Sequence, residues 1–514
     1  MKLKKYLNKI GILLCVFFLS GISASCNFFE KIEMPNNNIV NTNSTQVNDE
    51  YQIDNEASLT IAAVKFDSLN PLKTNNYYME EILGLIYDGL FAVASDSKPV
   101  PVLAKGAEST ADGKKWTITL NQDIKWQDGI YFSSEDVKHT FDIIMDEGNK
   151  YYHCVKNVES VEIEGAYTIV INCKEPDSFF AEKLYFPIVP NHIDIENRPL
   201  GTGNYKFSAV NDNYMTLFSD KSNIKNIFIR FYETSKDVVY SDCDIIMMRY
   251  EDYDKVEGKI GYSVKKYISP EFEVLSVNTT RDILSLSSVR RAIAYGINKK
   301  DAAHKISYSK TILSDLPVFP ESWIKGANKL TYNFSEEEAK KLLNSVDKSK
   351  LVFELLVNEE NSERVQYAEY FKESLKNIGI TINITKAPTE QINEKLENKD
   401  YDLALLGFNI AMIQDIKEFY TGGASNNISG YSNSELDVLI SKLEKYILDN
   451  ERKIIYSEAE DILLTDMPYI GLYFKQHYIM YNKRVVGIEE SKPSYLKKLG
   501  NIESWQIIKI PEEP

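Results

Sequence analysis

Residues 112–144 read DGKKWTITLNQDIKWQDGIYFSSEDVKHTFDII, and three kinds of local order follow one another within them. Trp116-Thr117-Ile118-Thr119-Leu120 alternates apolar and polar side chains, the period-2 pattern of a strand. Asp128-Gly129 is a turn dipeptide, because glycine accepts the positive φ that tight turns need. Ser133-Ser134-Glu135-Asp136 then supplies a helix N-cap with acids in the first turn, and Val137, Phe141 and Ile144 form the apolar face behind it. Strand, turn and helix within one short stretch point to a mixed α/β chain.

The same alternation extends in both directions. Upstream, Leu59-Thr60-Ile61-Ala62-Ala63-Val64 is a short apolar run that reads as a buried strand, and Tyr77 to Leu90 has helical spacing ending at Gly89. Downstream, Val158 to Glu164 and Tyr167 to Asn172 alternate about Gly165 and read as a hairpin. Amphipathic helices are expected over Ser288 to Gly296, Ser335 to Leu343 and Arg364 to Gly379, with strands at Leu351 to Val357, Ile380 to Ile384 and Asp402 to Leu406. Val289, Ala292, Ile293 and Gly296 make a close-packing stripe. No period of 20–50 residues recurs, so a solenoid or propeller is not expected.

At 514 residues, with 43% hydrophobic and 26% charged side chains, the chain has the composition of a globular protein of more than one folding unit. Its formal net charge of -16 repels a phosphate backbone, which argues against a nucleic-acid partner.

The first residues read as an address. Lys2, Lys4, Lys5 and Lys9 precede an apolar run from Ile10 to Ile22, which is too short to span a bilayer core of about 30 Å. Ser23-Ala24-Ser25 then leads into Cys26, an arrangement that resembles the lipobox of bacterial lipoproteins, with Ser23 where Leu is usual. The expectation is a signal peptide over 1–25, lipidation at Cys26 and a flexible polar tether over 26–55. Cys154, Cys173 and Cys243 lack Cys-x-x-Cys spacing. Cys154 and Cys173 could face each other across the hairpin, but free thiols are preferred. The five histidines are scattered, so neither a metal nor a cofactor is expected.

Signatures of catalysis are missing: no Gly-x-Ser-x-Gly elbow, no His-Glu-x-x-His helix, no Gly-x-x-x-x-Gly-Lys loop. Gly201-Thr202-Gly203 lacks the third glycine of a dinucleotide fingerprint and runs into Tyr205-Lys206-Phe207, a strand. A tight loop with positive φ at both glycines is the better reading. The chain is not expected to be an enzyme.

The order of the local blocks is similar to that of the family 5 solute-binding proteins of ABC importers. The blocks include Leu69-Asn70-Pro71-Leu72, Ile86-Tyr87-Asp88-Gly89-Leu90, Asp112-Gly113-Lys114-Lys115-Trp116-Thr117, Ile124-Lys125-Trp126-Gln127-Asp128-Gly129 and Pro199-Leu200-Gly201-Thr202-Gly203-Asn204-Tyr205. Val289-Arg290-Arg291-Ala292-Ile293, Gly430-Tyr431-Ser432-Asn433-Ser434-Glu435-Leu436-Asp437 and Met467-Pro468-Tyr469-Ile470 continue it, over about residues 58–487. The resemblance implies a two-lobed periplasmic-binding-protein-like α/β fold of the large class, hinged by crossing strands near Val274-Asn278 and Lys483-Gly487. Lobe one would take 56–274, with an extra subdomain at about 71–197; lobe two would take 275–484, and 485–514 would return to lobe one. It also implies a monomeric receptor, lipid-anchored on the outer face of the bacterial cytoplasmic membrane, that hands its ligand to ABC permease and ATPase subunits.

Peptide-binding members usually carry Trp, a small residue two positions later, then Asp and Tyr, the Asp neutralising the peptide's α-ammonium. Here the stretch is Gly407-Phe408-Asn409-Ile410-Ala411-Met412-Ile413-Gln414-Asp415. Phe408 takes the aromatic position and Ala411 stands where the Asp is expected. A buried ammonium needs a partner, so either Asp415 substitutes or the ligand lacks that group. A peptide is the expected ligand. The candidate binding residues are Phe408, Asn409, Asp415, Ser425, Asn426, Asn427 and Tyr431, which gather at and just beyond a strand end. The alternatives are a nickel chelate or sugar held in the same fold, or a surface hydrolase or signalling lipoprotein.

Overall fold

The computed structural model describes residues 52–326, 331–410, 416–424, 426–445, 448–494 and 496–509. Cys26, the signal segment and most of the tether lie outside them. The end of the expected tether is bonded: Ile53 bridges Ile508 and the Asp54 amide donates to Ile507 O at 2.7 Å.

Two strands organise the fold, Tyr262–Val277 and Tyr469–Asn482, paired antiparallel over nearly their whole length. On one side the sheet continues through Leu403–Asn409, Val352–Asn358 and Thr381–Ala387. On the other it runs through Ile245–Met248, Ser58–Val64, Asn226–Tyr232, Tyr214–Phe218 and Lys206–Val210. Ser58–Val64 lies parallel to both its neighbours and is buried on both faces, which is why its sequence is a continuous apolar run.

Each half has its own core. Leu59, Ile61, Tyr267 and Tyr478 to Tyr481 belong to the first, with Val485, Leu499 and Trp505 from the end of the chain. In the second half the strands alternate between two faces: Phe353, Leu355, Leu403 and Leu405 pack on one side, Leu356, Ala404 and Leu406 on the other. Along the long strands the core changes between Tyr267 and Phe272 and between Phe474 and Tyr478. That is several residues before the crossings expected at Val274-Asn278 and Lys483-Gly487. Polar residues interrupt both long strands where the core changes, Ser269 and Glu271 in one and Lys475, Gln476 and His477 in the other.

Residues 112–144 supply Lys115–Leu120, one of the two central strands of a second, four-stranded sheet ordered Ala104–Ser109, Lys115–Leu120, Thr168–Cys173, Val158–Gly165. The helix Ser134–Ile144 opens on a reciprocal capping box between Ser133 and Asp136, and Val137, Phe141 and Ile144 are buried as expected. Gly129 has φ 97°, the turn conformation its sequence called for. Cys154, Cys173 and Cys243 are free and buried.

Two local expectations are corrected. The helix beginning at Tyr77 stops at Leu83 and caps at Gly84 rather than running to Gly89. Gly201 and Gly203 do not have positive φ. They are needed for close approach: a Cβ would stand 1.9 Å from Ile86 O at Gly201 and 2.6 Å from Leu85 O at Gly203. The two segments are stitched there by Gly203 N to Ile86 O, 2.8 Å, and Tyr205 N to Leu85 O, 3.1 Å.

Candidate functional site

A cavity of about 600 Å³ opens where the two cores meet. The helix Tyr77–Leu83 supplies one wall. Its N-cap Asn76 accepts from the Tyr78 and Met79 amides, and Glu80 and Glu81 come off its middle. Glu81 is buried and receives the amides of Lys498 and Leu499 at 2.9 and 2.7 Å, which fixes the returning chain along the cavity and brings Leu496, Lys497 and Lys498 to its surface. Glu80 pairs with Lys150, whose Nζ also donates to Thr74 O at 2.6 Å.

Two groups on this wall have shifted protonation. Burial pushes the Asp88 carboxyl above its ordinary range, and the Thr202 hydroxyl, donating at 2.8 Å, offsets part of this. Burial pushes the His153 imidazole down, opposed by its 2.8 Å contact with Lys150 O. Gly89 must be glycine, because a Cβ would lie 2.8 Å from Tyr185 O in the segment crossing it.

The opposite wall is Pro270, Asn409 and Ile410. Asn409 ends the strand Leu403–Asn409 in register with Glu271, and Gly407 lies opposite Glu273. Beneath them is a charged hinge. Arg364 grips Glu273 through Nε to Oε2 at 2.7 Å and Nη2 to Oε1 at 3.0 Å. Glu271 lies 3.3 Å from Lys475 Nζ and 3.2 Å from His477 Nε2. Burial works against ionisation of Glu271, but His477 and Lys475 outweigh it and hold the carboxyl down at about 2. Glu271 is therefore an anion across the neutral range, facing Lys475 on the neighbouring strand.

Of the residues singled out from sequence, Asn409 lines the cavity. Phe408 is half-buried against Phe419 and Tyr469, with centroids 5.2 and 5.8 Å away. Asn426 is exposed and donates to Glu418 at 3.1 Å. Asn427 and Tyr431 are buried and already bonded: Asn427 Nδ2 donates to Thr421 O and Tyr431 O of its own loop, and the Tyr431 hydroxyl to Asp466 at the end of the helix Asp449–Asp466. Asp415, Ser425 and Ala411 lie outside the described residues. Sequence reasoning missed the wall made by Glu80, Asp88, Lys150 and Lys498. The helix acids and the two lysines carry no local pattern that separates them from solvated charges.

Among the described residues no group of three or more His, Cys, Asp or Glu is placed to hold a metal ion, and no helix is long and apolar enough to cross a membrane. What the arrangement offers is a concave, mostly apolar space with a few polar groups, between two halves joined by strands.

Comparison with known proteins agrees. Residues 98–430 match the family of bacterial extracellular solute-binding proteins, family 5. The glutathione-binding protein GsiB of Salmonella typhi is 24% identical over 476 residues, covering 82% of this chain and 90% of that protein. The nickel ABC transporter protein of Bacillus halodurans superposes with a TM-score of 0.77 at 20% identity, over 88% of this chain and 99% of the other. The oligopeptide-binding protein AppA of Bacillus subtilis, solved with a nonapeptide, gives 0.61 at 19% identity over 88% and 99%. These folds are two-lobed, and the match runs through both halves of the sheet. The chain belongs to the bacterial extracellular solute-binding proteins, family 5, the substrate-binding components of ABC importers rather than enzymes.

Proposed function

We propose that the chain captures peptides between its two lobes and delivers them to a membrane permease, held at the outer face of the cytoplasmic membrane by a lipid on Cys26. The observation that carries this reading is the cavity of about 600 Å³ with Asn409 on one wall and paired charges on the other. Such a volume suits a short peptide. An amide side chain at a strand end matches peptide backbone, which presents both donors and acceptors. In this reading Asn409 bonds the ligand, Asp415 takes the ammonium that an Asp at position 411 would have held, and Phe408, Ser425 and Asn426 shape the rim. Asn427 and Tyr431 hold the loop. In this reading lobe one runs from 56 to about 270, lobe two from there to about 476, and the rest of the chain returns to lobe one. The receptor acts as a monomer.

Native mass spectrometry of the purified mature protein tests the ligand class. A co-purifying peptide supports the reading; a nickel chelate or a sugar rejects it. Where a peptide is found, Asp415→Asn should weaken its free-amine form by about 3–5 kcal/mol and spare the N-acetylated form, as calorimetry would measure. Equal small losses for both would remove Asp415 from the site.

A further inference from the structure

Phe179 and Phe180 are neighbours in sequence and belong to different cores. Phe180 is fully buried in the first core, its ring 6.0 Å from Trp116. Phe179, 6% exposed, is buried in the second core. The turn that carries them is pinned on the far side. The Ser178 amide donates to Glu444 O at 3.1 Å and its hydroxyl to Leu443 O, at the end of the helix Ser434–Leu443.

Three residues on, Glu182 reaches Arg452 of the helix Asp449–Asp466 at 3.0 Å, both side chains buried. The Arg452 guanidinium lies 4.0 Å from the Phe179 ring centroid and 4.9 Å from that of Trp323. Trp323 in turn donates its amide to Asp96 O at 2.7 Å, and Lys98 sits 4.8 Å over the indole and 3.0 Å from Asp449. None of these residues lines the 600 Å³ cavity; Asp177, Ser178, Phe179 and Lys183 line a second cavity of about 460 Å³, with Lys417 and Gly423 on its other wall.

We propose that residues 177–183 are a latch, with Phe179 and Glu182 seating between Arg452 and Trp323, so that the balance between shut and open receptor is set in part by a contact the ligand never touches. The chemistry favours a contact that forms and breaks. Phe179 buries a full ring only while the halves are together, which draws them shut. The ion pair is incomplete: Glu182 Oε2 and Arg452 Nε have no hydrogen-bond partner. Opening would hydrate both groups, which lowers the cost of release. A ligand gripping both walls needs to supply only the difference between the two states.

The test uses the mature protein without any ligand, so its outcome is independent of what the cavity binds. Hydrogen exchange in Phe179→Ala should rise at least tenfold together at 178–183, 320–326 and 449–456, while the sheet containing Lys115–Leu120 keeps its protection. Small-angle scattering should show an expanded particle. If Phe179→Ala does not fold, Arg452→Met carries the same test, since Met keeps apolar contact with both rings and removes the ion pair. A rise confined to 178–183, or unchanged scattering in the folded variant, overturns the latch.

Discussion

Two arginine–glutamate pairs in this molecule are built differently, and the difference matches where they sit. Arg364 and Glu273 join elements of the same half, at the hinge, through two hydrogen bonds of 2.7 and 3.0 Å. Arg452 and Glu182 join the two halves through one of 3.0 Å, leaving an oxygen and a nitrogen unused. A buried pair recovers its desolvation cost only when its lone pairs and protons are engaged. The hinge pair meets that condition and the rim pair does not. Fixed structure is placed where the chain bends, and a marginal contact where it must part.

The largest effect should come from breaking the fixed pair. Glu273→Ala leaves the Arg364 guanidinium unpaired among buried groups and should cost about 3–5 kcal/mol, seen as a clear fall in melting temperature. A variant melting with wild type would end the comparison. Next comes Gly407→Ala, expected to cost about 2 kcal/mol by crowding. A Cβ there would stand 2.2 Å from Arg364 Nη2 and 3.0 Å from Glu273 Oε1, so the arginine must leave its fork. In the Glu273→Ala background the same change should cost less, because the fork is already lost. Full additivity would show that Gly407 serves something other than this pair.

The hinge and the rim also differ in how much of them could be seen in the sequence. Secondary structure was legible wherever the determinant is local: the helix N-cap at Ser133 to Asp136, the turn at Gly129 and the strand expected at Leu351 to Val357, found at Val352–Asn358, all stand. Gly201 and Gly203 were misread because what they accommodate, the backbone at 85–86, is more than a hundred residues away in the chain. The site was half-legible for the same reason. Asn409 follows a strand that announces itself, and a strand end is where a binding loop gathers. Asn427 and Tyr431 carry donors and acceptors, but folding spends them on the loop's own backbone and on Asp466 of a distant helix. The wall of Glu80, Lys150 and Lys498 is assembled from three distant segments, and no spacing rule connects them. Phe179 and Phe180 read as two ordinary core residues, since nothing in a sequence says that two adjacent rings enter different cores.

The smallest expected effect sharpens the comparison through pH. Burial pushes the Glu182 carboxyl up to about 7, with Asp177 adding to the shift and Arg452 and Lys183 opposing it. Across the seam Asp449 pairs with Lys98 and stands 3.7 Å from the Arg452 guanidinium. In the unfolded chain Glu182 titrates near its ordinary 4.5. Between these values the folded protein keeps a proton that the unfolded chain has released, so this group's contribution to stability is full below about 4.5 and is lost as pH rises through 7. Glu182→Gln has no such proton. The stability of wild type relative to this variant should therefore fall by about 1 kcal/mol between pH 6 and pH 7, measured as the difference in urea midpoints. Glu460, also raised to about 7 by burial, is present in both proteins and cancels. Glu271, held near 2 at the hinge, is ionised throughout this window and contributes no slope. A wild-type-to-variant gap that stays constant across the window would mean that Glu182 is ionised in the folded protein, and that the rim pair is as complete as the hinge pair.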